Sequence, residues 1–514
     1  MRNGGDVFLS TVFEKLVKSG STEEVTSLNV QLSKYLKKLG VKVVFSFDEA
    51  QTLLDVIEKK EDISLFQAFY QSIRLYNNPV FLGTTFSISK VVMNVSKEGR
   101  QLLYPIIGSL EPWFLPDVDK MLSQMFDVQS VKLENAPEFN MICYLLSGSP
   151  ENVTHFHRSI LERSKMSSYK DKICLLRMGL QDVIEFKEKS SLTRITQFIE
   201  DTSFMNRLDH LFKLLFGKKC QLQNPTIEQL EKELYGISYS QAFIEKTIAF
   251  VVKKNDCNVF EIVDPINAKS YFKKVISDCK EQLWEFMAKL RGSGDDFEMF
   301  VVVLLIQERE RMKGRSISKS PLFGENSSLE GWTINASTFV HDQHLSKKLL
   351  TENNIPGAWF GQLVNPLAYH YFTDTFVKPD NNKGPDGMFY LKDSSGNFKL
   401  VTCSITLNDE KQPNKAINML KTLLVSNIGT DKSGKLNNLN LQVPFSMDYL
   451  GWIVAPNMDA SAFETLKNDY PNLNTIITGK REISNCIEKY KSQPYYENMQ
   501  RVWKKFTKKI KQKP

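Results

Sequence analysis

The sequence predicts a multidomain α/β protein: a parallel-sheet unit first, a helical connector next, and a mixed-sheet domain toward the C-terminus. Three observations predict it. Two apolar runs, VKVVFSF (41–47) and PVFLGTT (79–85), flank an amphipathic stretch around Leu53, Leu54, Val56 and Ile57. Strand, helix, strand at that spacing is the pattern of a parallel sheet. Residues 205–290 then show mainly helical periods, with Ile227, Leu230, Leu234 and Ile237 near one face. From 297 onward the order is helix, hairpin, helix, strand, helix, strand, which suits a mixed sheet. At 514 residues the chain is too long for one ordinary core, and roughly two to four domains are expected. The boundaries read as 1–200, 201–290, 291–480 and 481–514.

Each element of the C-terminal part has its own signal. FEMFVVVLLIQERER is a helix that follows the composition break LRGSGDD (290–296). RMKGRSISKSPLFGENSSLEG (311–331) is polar and reads as a loop within the domain. GPDGMFYLKDSSGNFKLVTCSITL is two strands joined by the turn-forming DSSGN. NKAINMLKTLLVS and ASAFETLKND are helices, each followed or preceded by the strands YLGWIVAP and NTIIT.

The formal charge of +7 looks mild until it is located. RVWKKFTKKIKQKP, the last fourteen residues, holds seven Lys/Arg and no acid, so the surplus sits in this segment. Lys504, Lys505, Lys508 and Lys509 are candidates for contact with a phosphate backbone. Trp503, Phe506 and Ile510 form a stripe beside them that could lie on such a partner or dock the last helix. The seven cysteines contain no C-x-x-C, which argues against a zinc knuckle or a disulfide framework and fits a reducing compartment. The longest apolar run, Met299–Ile306, is too short to span a membrane, and the N-terminus lacks the pattern of a secretory signal. An intracellular protein of nucleus or cytoplasm is expected, without a membrane partner.

Asp48 and Glu49 end the first apolar strand, where an NTPase places the acid that holds Mg²⁺ and the acid that polarises water. Thr84, after Gly83 on the second strand, stands where a γ-phosphate sensor would be. The phosphate cradle G-x-x-x-x-G-K-[ST] is missing: Gly217-Lys218, Gly434-Lys435 and Gly479-Lys480 are followed by Lys, Leu and Arg. Either the chain begins downstream of its cradle or this unit no longer hydrolyses ATP, so ATP is not expected as a firm cofactor. A helix N-terminal cap is the plainer role for an acid pair after a strand.

A second constellation lies in the hairpin. Metal-dependent nucleases of the PD-(D/E)-x-K type set an Asp at the start of one strand and a Glu and a Lys two apart on the next. Alternation then brings all three to one face. The acids bind Mg²⁺ and the Lys positions water. Gly384-Pro385-Asp386-Gly387 opens the first strand here, Glu298 supplies a helical acid, and Thr402 and Ser404 occupy the Glu and Lys positions. Two hydroxyls do not supply the charge of a Glu and a Lys, so a Mg²⁺ site would be weak. A displaced lysine, Lys399 or Lys415, could restore chemistry, and Asp409 and Glu410 lie nearby in sequence. Read alone, P-D-G is simply a turn signal.

Together the two halves resemble the Crinkler and retrotransposon-hot-spot superfamily, in which a P-loop ATPase is joined to a restriction-nuclease-like domain through a helical or winged-helix connector. The resemblance rests on DEA at 48–50, the GT at 83–84, and the eroded PD-(D/E)-x-K pattern. It extends to LLSGSPENVTHFHRSILE (145–162), which keeps Gly148 and Pro150 of a G-R-P-R-F type segment and offers Arg158 as a phosphate sensor. It implies action on nucleic acid, DNA above all, often in a nucleus, including the role of a secreted effector in a host nucleus, though no Crinkler-type header is present. Three readings follow: a nucleic-acid-associated protein with a degenerate ATPase and a weakened or inactive nuclease; a non-catalytic scaffold for protein partners; and a Mg²⁺-dependent nuclease using a displaced lysine.

Overall fold

The computed structural model describes residues 46–47, 80–81, 112–166, 172–221, 247–342, 370–379, 386–407, 449–457 and 475–508, with short gaps inside some stretches and a few positions between 226 and 243. The chain divides into two compact units, Met1–Leu110 and Glu111–Pro514. In the first, β1 (Ser46–Phe47) and β2 (Val80–Phe81) pair in parallel, Ser46 with Val80 and Phe47 with Phe81. Parallel pairing of these two runs is what their spacing predicts; the helix expected between them lies outside the described residues.

The second unit is a helix-covered mixed sheet. It begins with α1 (Leu115–Met125), α2 (Gln129–Leu146), α3 (Pro150–Met166), α4 (Lys172–Glu200) and α5 (Met205–Leu215). A small antiparallel sheet follows, made of β3 (Cys220–Gln221), β4 (Phe250–Lys254) and β5 (Cys257–Glu261), with β5 in the middle. Next come α6 (Pro265–Asp278), α7 (Lys280–Lys289) and α8 (Gly294–Met312). The main sheet contains β6 (Thr333–Ile334), β7 (Thr338–Asp342), β8 (Thr375–Pro379), β9 (Gly387–Lys392), β10 (Phe398–Ile405), β11 (Tyr449–Val454) and β12 (Thr475–Thr478). Two helices, α9 (Lys480–Glu488) and α10 (Tyr496–Lys508), complete the described part.

The strand order is β12-β11-β10-β9-β8-β7, with β6 also on β9. β10 pairs β9 antiparallel and β11 parallel, β11 pairs β12 parallel, and β7 pairs β8 parallel. The hairpin expected from DSSGN is β9–β10. Asp393 accepts hydrogen bonds from the Asn397 backbone and side-chain nitrogens, both at 2.8 Å, and Gly396 turns the chain at φ 87°.

Strand alternation divides the core in two. Met388, Tyr390, Leu400, Val377 and Val340 pack with apolar residues of α1–α3 and the first half of α4. Phe389, Leu391, Val401, Cys403, Phe376 and Trp452 pack with α7, α8, α9 and α10. With both faces covered, the strands read as near-continuous apolar runs. α8 is apolar on all sides because it is enclosed: Phe297 and Met299 through Ile306 are all buried. Among the described residues, no helix is long and apolar enough to cross a membrane.

The expected boundaries at 200, 290 and 480 fall inside the second unit. Helices of 115–200, expected to belong with the acid strand, cover one face of a sheet built from residues 333–478. An amphipathic helix shows in sequence that it buries a face, not which surface it buries that face against.

Candidate functional site

The hairpin register brings two of the expected residues, Asp386 and Ser404, to one end of the sheet. Thr402 pairs with Met388, and Cys403 with Gly387. Asp386, just before β9, therefore sits beside the end of β10. Its Oδ2 accepts the Ser404 hydroxyl at 3.2 Å and the Ile405 amide at 2.6 Å. Gly387 has no alternative there, since an added Cβ would come within 2.3 Å of the Phe376 ring. Cys403 donates its thiol to the Gly387 carbonyl at 3.1 Å. Burial pushes that thiol well above its usual value, and the negative charges of Asp386 and Glu298 push the same way.

Glu298 reaches this end from α8. The helix starts with a capping box, in which Ser293 accepts from the Asp296 amide at 3.2 Å and the Asp296 side chain accepts from the Ser293 amide at 3.0 Å. Glu298 Oε2 accepts a hydrogen bond from Lys378 Nζ on β8 and forms an ion pair with it. Burial pushes the Glu298 carboxyl up to about 7; the Lys378 charge opposes that rise, and the negative charge of Asp386 adds to it. Lys378 is the residue that sequence reading missed. Its signal is a lone lysine in TFVKP, on the same side of β8 as the buried Phe376.

Other expected residues go elsewhere. Thr402 is buried in β10, in register with Met388 and Gly451. Lys399 does not reach the site: it lies over the Trp332 ring at 4.6 Å, five residues along β10 from Ser404, or about 17 Å. Lys415, Asp409 and Glu410 lie outside the described residues, as do Asp48, Glu49 and Thr84. Arg158 is exposed on α3. Gly148, in the same motif, is packed for structural reasons: at φ 95°, a Cβ there would come within 2.8 Å of Asp264 Cα. Gly217-Lys218 is likewise structural, because Lys218 pairs with Asp296 and a Cβ on Gly217 would strike the His341 ring.

The basic end is only partly free. Lys504 is exposed. Lys505 Nζ donates to the carbonyl oxygens of Ala288 and, at 3.0 Å, Leu290, at the C-terminal end of α7. Trp503 stacks on Phe300 with centroids 5.9 Å apart, and Phe506 meets Phe297 edge-on at 5.2 Å. The aromatic stripe thus docks the last helix onto α8. The Lys508 side chain, Lys509 and Ile510 lie outside the described residues.

Mg²⁺ takes oxygen ligands in near-octahedral geometry, usually including one or two carboxylates. Glu298 Oε2 already takes an ammonium, and Asp386 Oδ2 already takes two donors. Among the described residues, no group of three or more His, Cys, Asp or Glu is placed to hold a metal ion. The described residues at this sheet end therefore do not fit a Mg²⁺ centre.

Comparison with protein-family models, curated proteins and solved structures gave no match to the chain.

Proposed function

We propose that the chain is a Crinkler-like, nucleic-acid-associated protein. On this reading its C-terminal domain keeps the frame of a PD-(D/E)-x-K nuclease with little or no cutting chemistry, and its N-terminal unit descends from an ATPase. The observation that carries the reading is the Glu298–Lys378 ion pair beside Asp386, whose carboxylate is held by Ser404 and the Ile405 amide. Two acids and a lysine converge where such a nuclease would work. Neutral hydroxyls stand at 402 and 404, in place of the Glu that would share a metal and the Lys that would position a water.

Binding to nucleic acid has separate support. The order α5, β3, helical positions at Thr226, Leu230, Ser240, Ala242 and Phe243, then β4 and β5, with β5 between its partners, is the order of a winged helix. Lys253 and Lys254 end β4, and the register pairs Lys254 with Cys257 at the start of β5. On this reading the β4–β5 connection is the wing, and lysines at that end of β4 suit phosphate contacts.

Labelled duplex DNA and RNA, titrated with the full chain at low and raised salt in the presence of Mg²⁺ or Mn²⁺, test the reading. The expected result is binding that weakens as salt rises, with a salt slope shallower by about two in K253E/K254E. Cleavage should not exceed that of Asp386→Ala. Absence of salt-dependent binding would leave the protein-scaffold reading in its place. Cleavage abolished by Asp386→Ala would make the domain a working nuclease.

A further inference from the structure

We infer that Arg291, Lys480, Arg481 and Lys504 form a phosphate-binding ridge beside the Asp386–Ser404 sheet end, over which the backbone of a nucleic acid runs. The inference rests on reading the protein as nucleic-acid-associated, and it adds a contact surface on elements other than the β4–β5 wing. It also gives a role to Gly479-Lys480-Arg481, which lacks the Ser or Thr of a nucleotide cradle.

The topology brings these residues together. Ser404 pairs with Ile453 across β10–β11, and Val454 pairs with Thr478 across β11–β12, both in parallel. The C-terminal end of β12 therefore lies at the same sheet end as Ser404, two strand spacings away, or about 10 Å. That is about three nucleotide steps along a B-form strand. Gly479 follows β12 directly, and Lys480 and Arg481 open α9. α10 runs back along α9: Glu488 Oε1 accepts from Tyr496 OH at 2.7 Å, and Ser484 Oγ accepts from Trp503 Nε1 at 3.0 Å. Going from Ser484 back to Arg481 thus means going along α10 from Trp503 toward its C-terminal end, where Lys504 stands. Lys505 donates to the Leu290 carbonyl at 3.0 Å, and a Cβ on Gly292 would lie 3.8 Å from the Phe506 ring. Arg291, between Leu290 and Gly292, is therefore held against the same part of α10.

All four cations are exposed. Two acids border them. Glu482 accepts the Gly479 amide at 3.0 Å and pairs with Arg481 at 3.0 Å, yet the Arg481 side chain stays 85% exposed. Asp295 is exposed in the first turn of α8. The placement of Lys480 and Arg481 separates this ridge from ordinary surface charge. Both stand in the first turn of α9, where the positive end of the helix dipole opposes a cation. Arg309 and Arg311, in the last turn of α8, complement the dipole instead. Cations set against the stability of their own helix are matched to an anion outside the chain, and a row of phosphates supplies one.

The test is fluorescence anisotropy of labelled duplex DNA titrated with the full chain over a series of salt concentrations, with thermal melting in parallel. K480A/R481A should make the salt slope shallower by about two. Its melting temperature should be unchanged or higher, because the dipole no longer faces two cations. R315A/K319A removes the same charge from exposed positions beyond the far end of α8, about 28 Å along that helix, and should bind as wild type does. Arg291→Ala, on a different element, should make the slope shallower by about one, so the result does not depend on α9 alone. Wild-type slopes in K480A/R481A and Arg291→Ala overturn the inference while leaving nucleic-acid binding in place. An equal loss in R315A/K319A also overturns it, since net charge would then explain the binding. If the wild-type chain shows no salt-dependent binding, the nucleic-acid reading falls and the ridge falls with it.

Discussion

Ser404 Oγ donates a hydrogen bond to Asp386 Oδ2 at 3.2 Å, from the end of β10 to the start of β9. The same oxygen accepts the Ile405 amide at 2.6 Å. The aspartate of the P-D-G turn is therefore a clamp on the hairpin as well as a surviving acid. Asp386→Ala should cost about 1–3 kcal/mol of unfolding free energy, because it leaves the Ile405 amide without that acceptor. Asp386→Asn, which retains an acceptor oxygen, should cost less. Urea denaturation of the two variants checks this, and equal losses would argue against the clamp.

Glu298 should make stability fall as pH rises across mildly acid conditions. Its carboxyl sits at about 7 in the fold, above the ordinary 4.5, chiefly through burial. Below 4.5 the group is protonated folded and unfolded; above 7 it is ionised in both. Between these values the folded protein holds a proton that the unfolded chain has released, so its contribution is fully present at the acid end and lost on the way up. Glu298→Gln should flatten this part of the profile, seen as unfolding midpoints measured between these two pH values. A wild-type slope unchanged by the substitution would show that other groups set it.

How much of this was legible in sequence depends on the range of the signal. Asp386 and Ser404 could be found because a short hairpin converts spacing directly into register. Glu298 could be found because it stands near the head of the apolar helix that precedes the hairpin, where the nuclease pattern puts its helical acid. Lys378 could not: its partnership with Glu298 joins residues 80 apart in sequence, and no local pattern encodes it. The helices of 115–200 were legible as helices, but their place on the C-terminal sheet was not. Trp503 and Phe506 were read as an apolar stripe that could bind a partner or dock the last helix, and docking is what they do.

Glu308 anchors the end of the chain to the middle of the fold. It is buried on α8 and accepts from Arg311 Nε and Nη2 at 2.7 and 2.6 Å, from Ser320 Oγ at 2.6 Å and from Tyr490 OH at 3.1 Å. Removing the carboxylate strips four donors of their acceptor and leaves the Arg311 charge without this partner. Glu308→Ala should therefore cost about 3–5 kcal/mol. Proteolysis should then release α9 and α10 first, because Tyr490 lies between them. Limited digestion followed by mass spectrometry reads the result, and uniform cleavage across the unit would contradict it.

Lys504 and Lys505 are adjacent in the basic segment, yet they should fail in opposite ways. Lys505 holds the carbonyls of Ala288 and Leu290, and an ammonium at a helix C-terminus also favours the helix dipole. Lys505→Ala should lower unfolding free energy by about 1 kcal/mol or somewhat more. Its effect on nucleic-acid affinity should be no greater than that loss of folded protein explains. Lys504 is exposed, on the side of α10 that also exposes Arg501, while Val502, Trp503 and Phe506 are buried. Lys504→Ala should leave the denaturation midpoint unchanged and make the salt slope of nucleic-acid binding shallower by about one. Paired denaturation and binding titrations distinguish the two. If Lys504→Ala binds as wild type does, the basic segment serves only to dock the last helix, and the wing lysines carry the phosphate contacts alone.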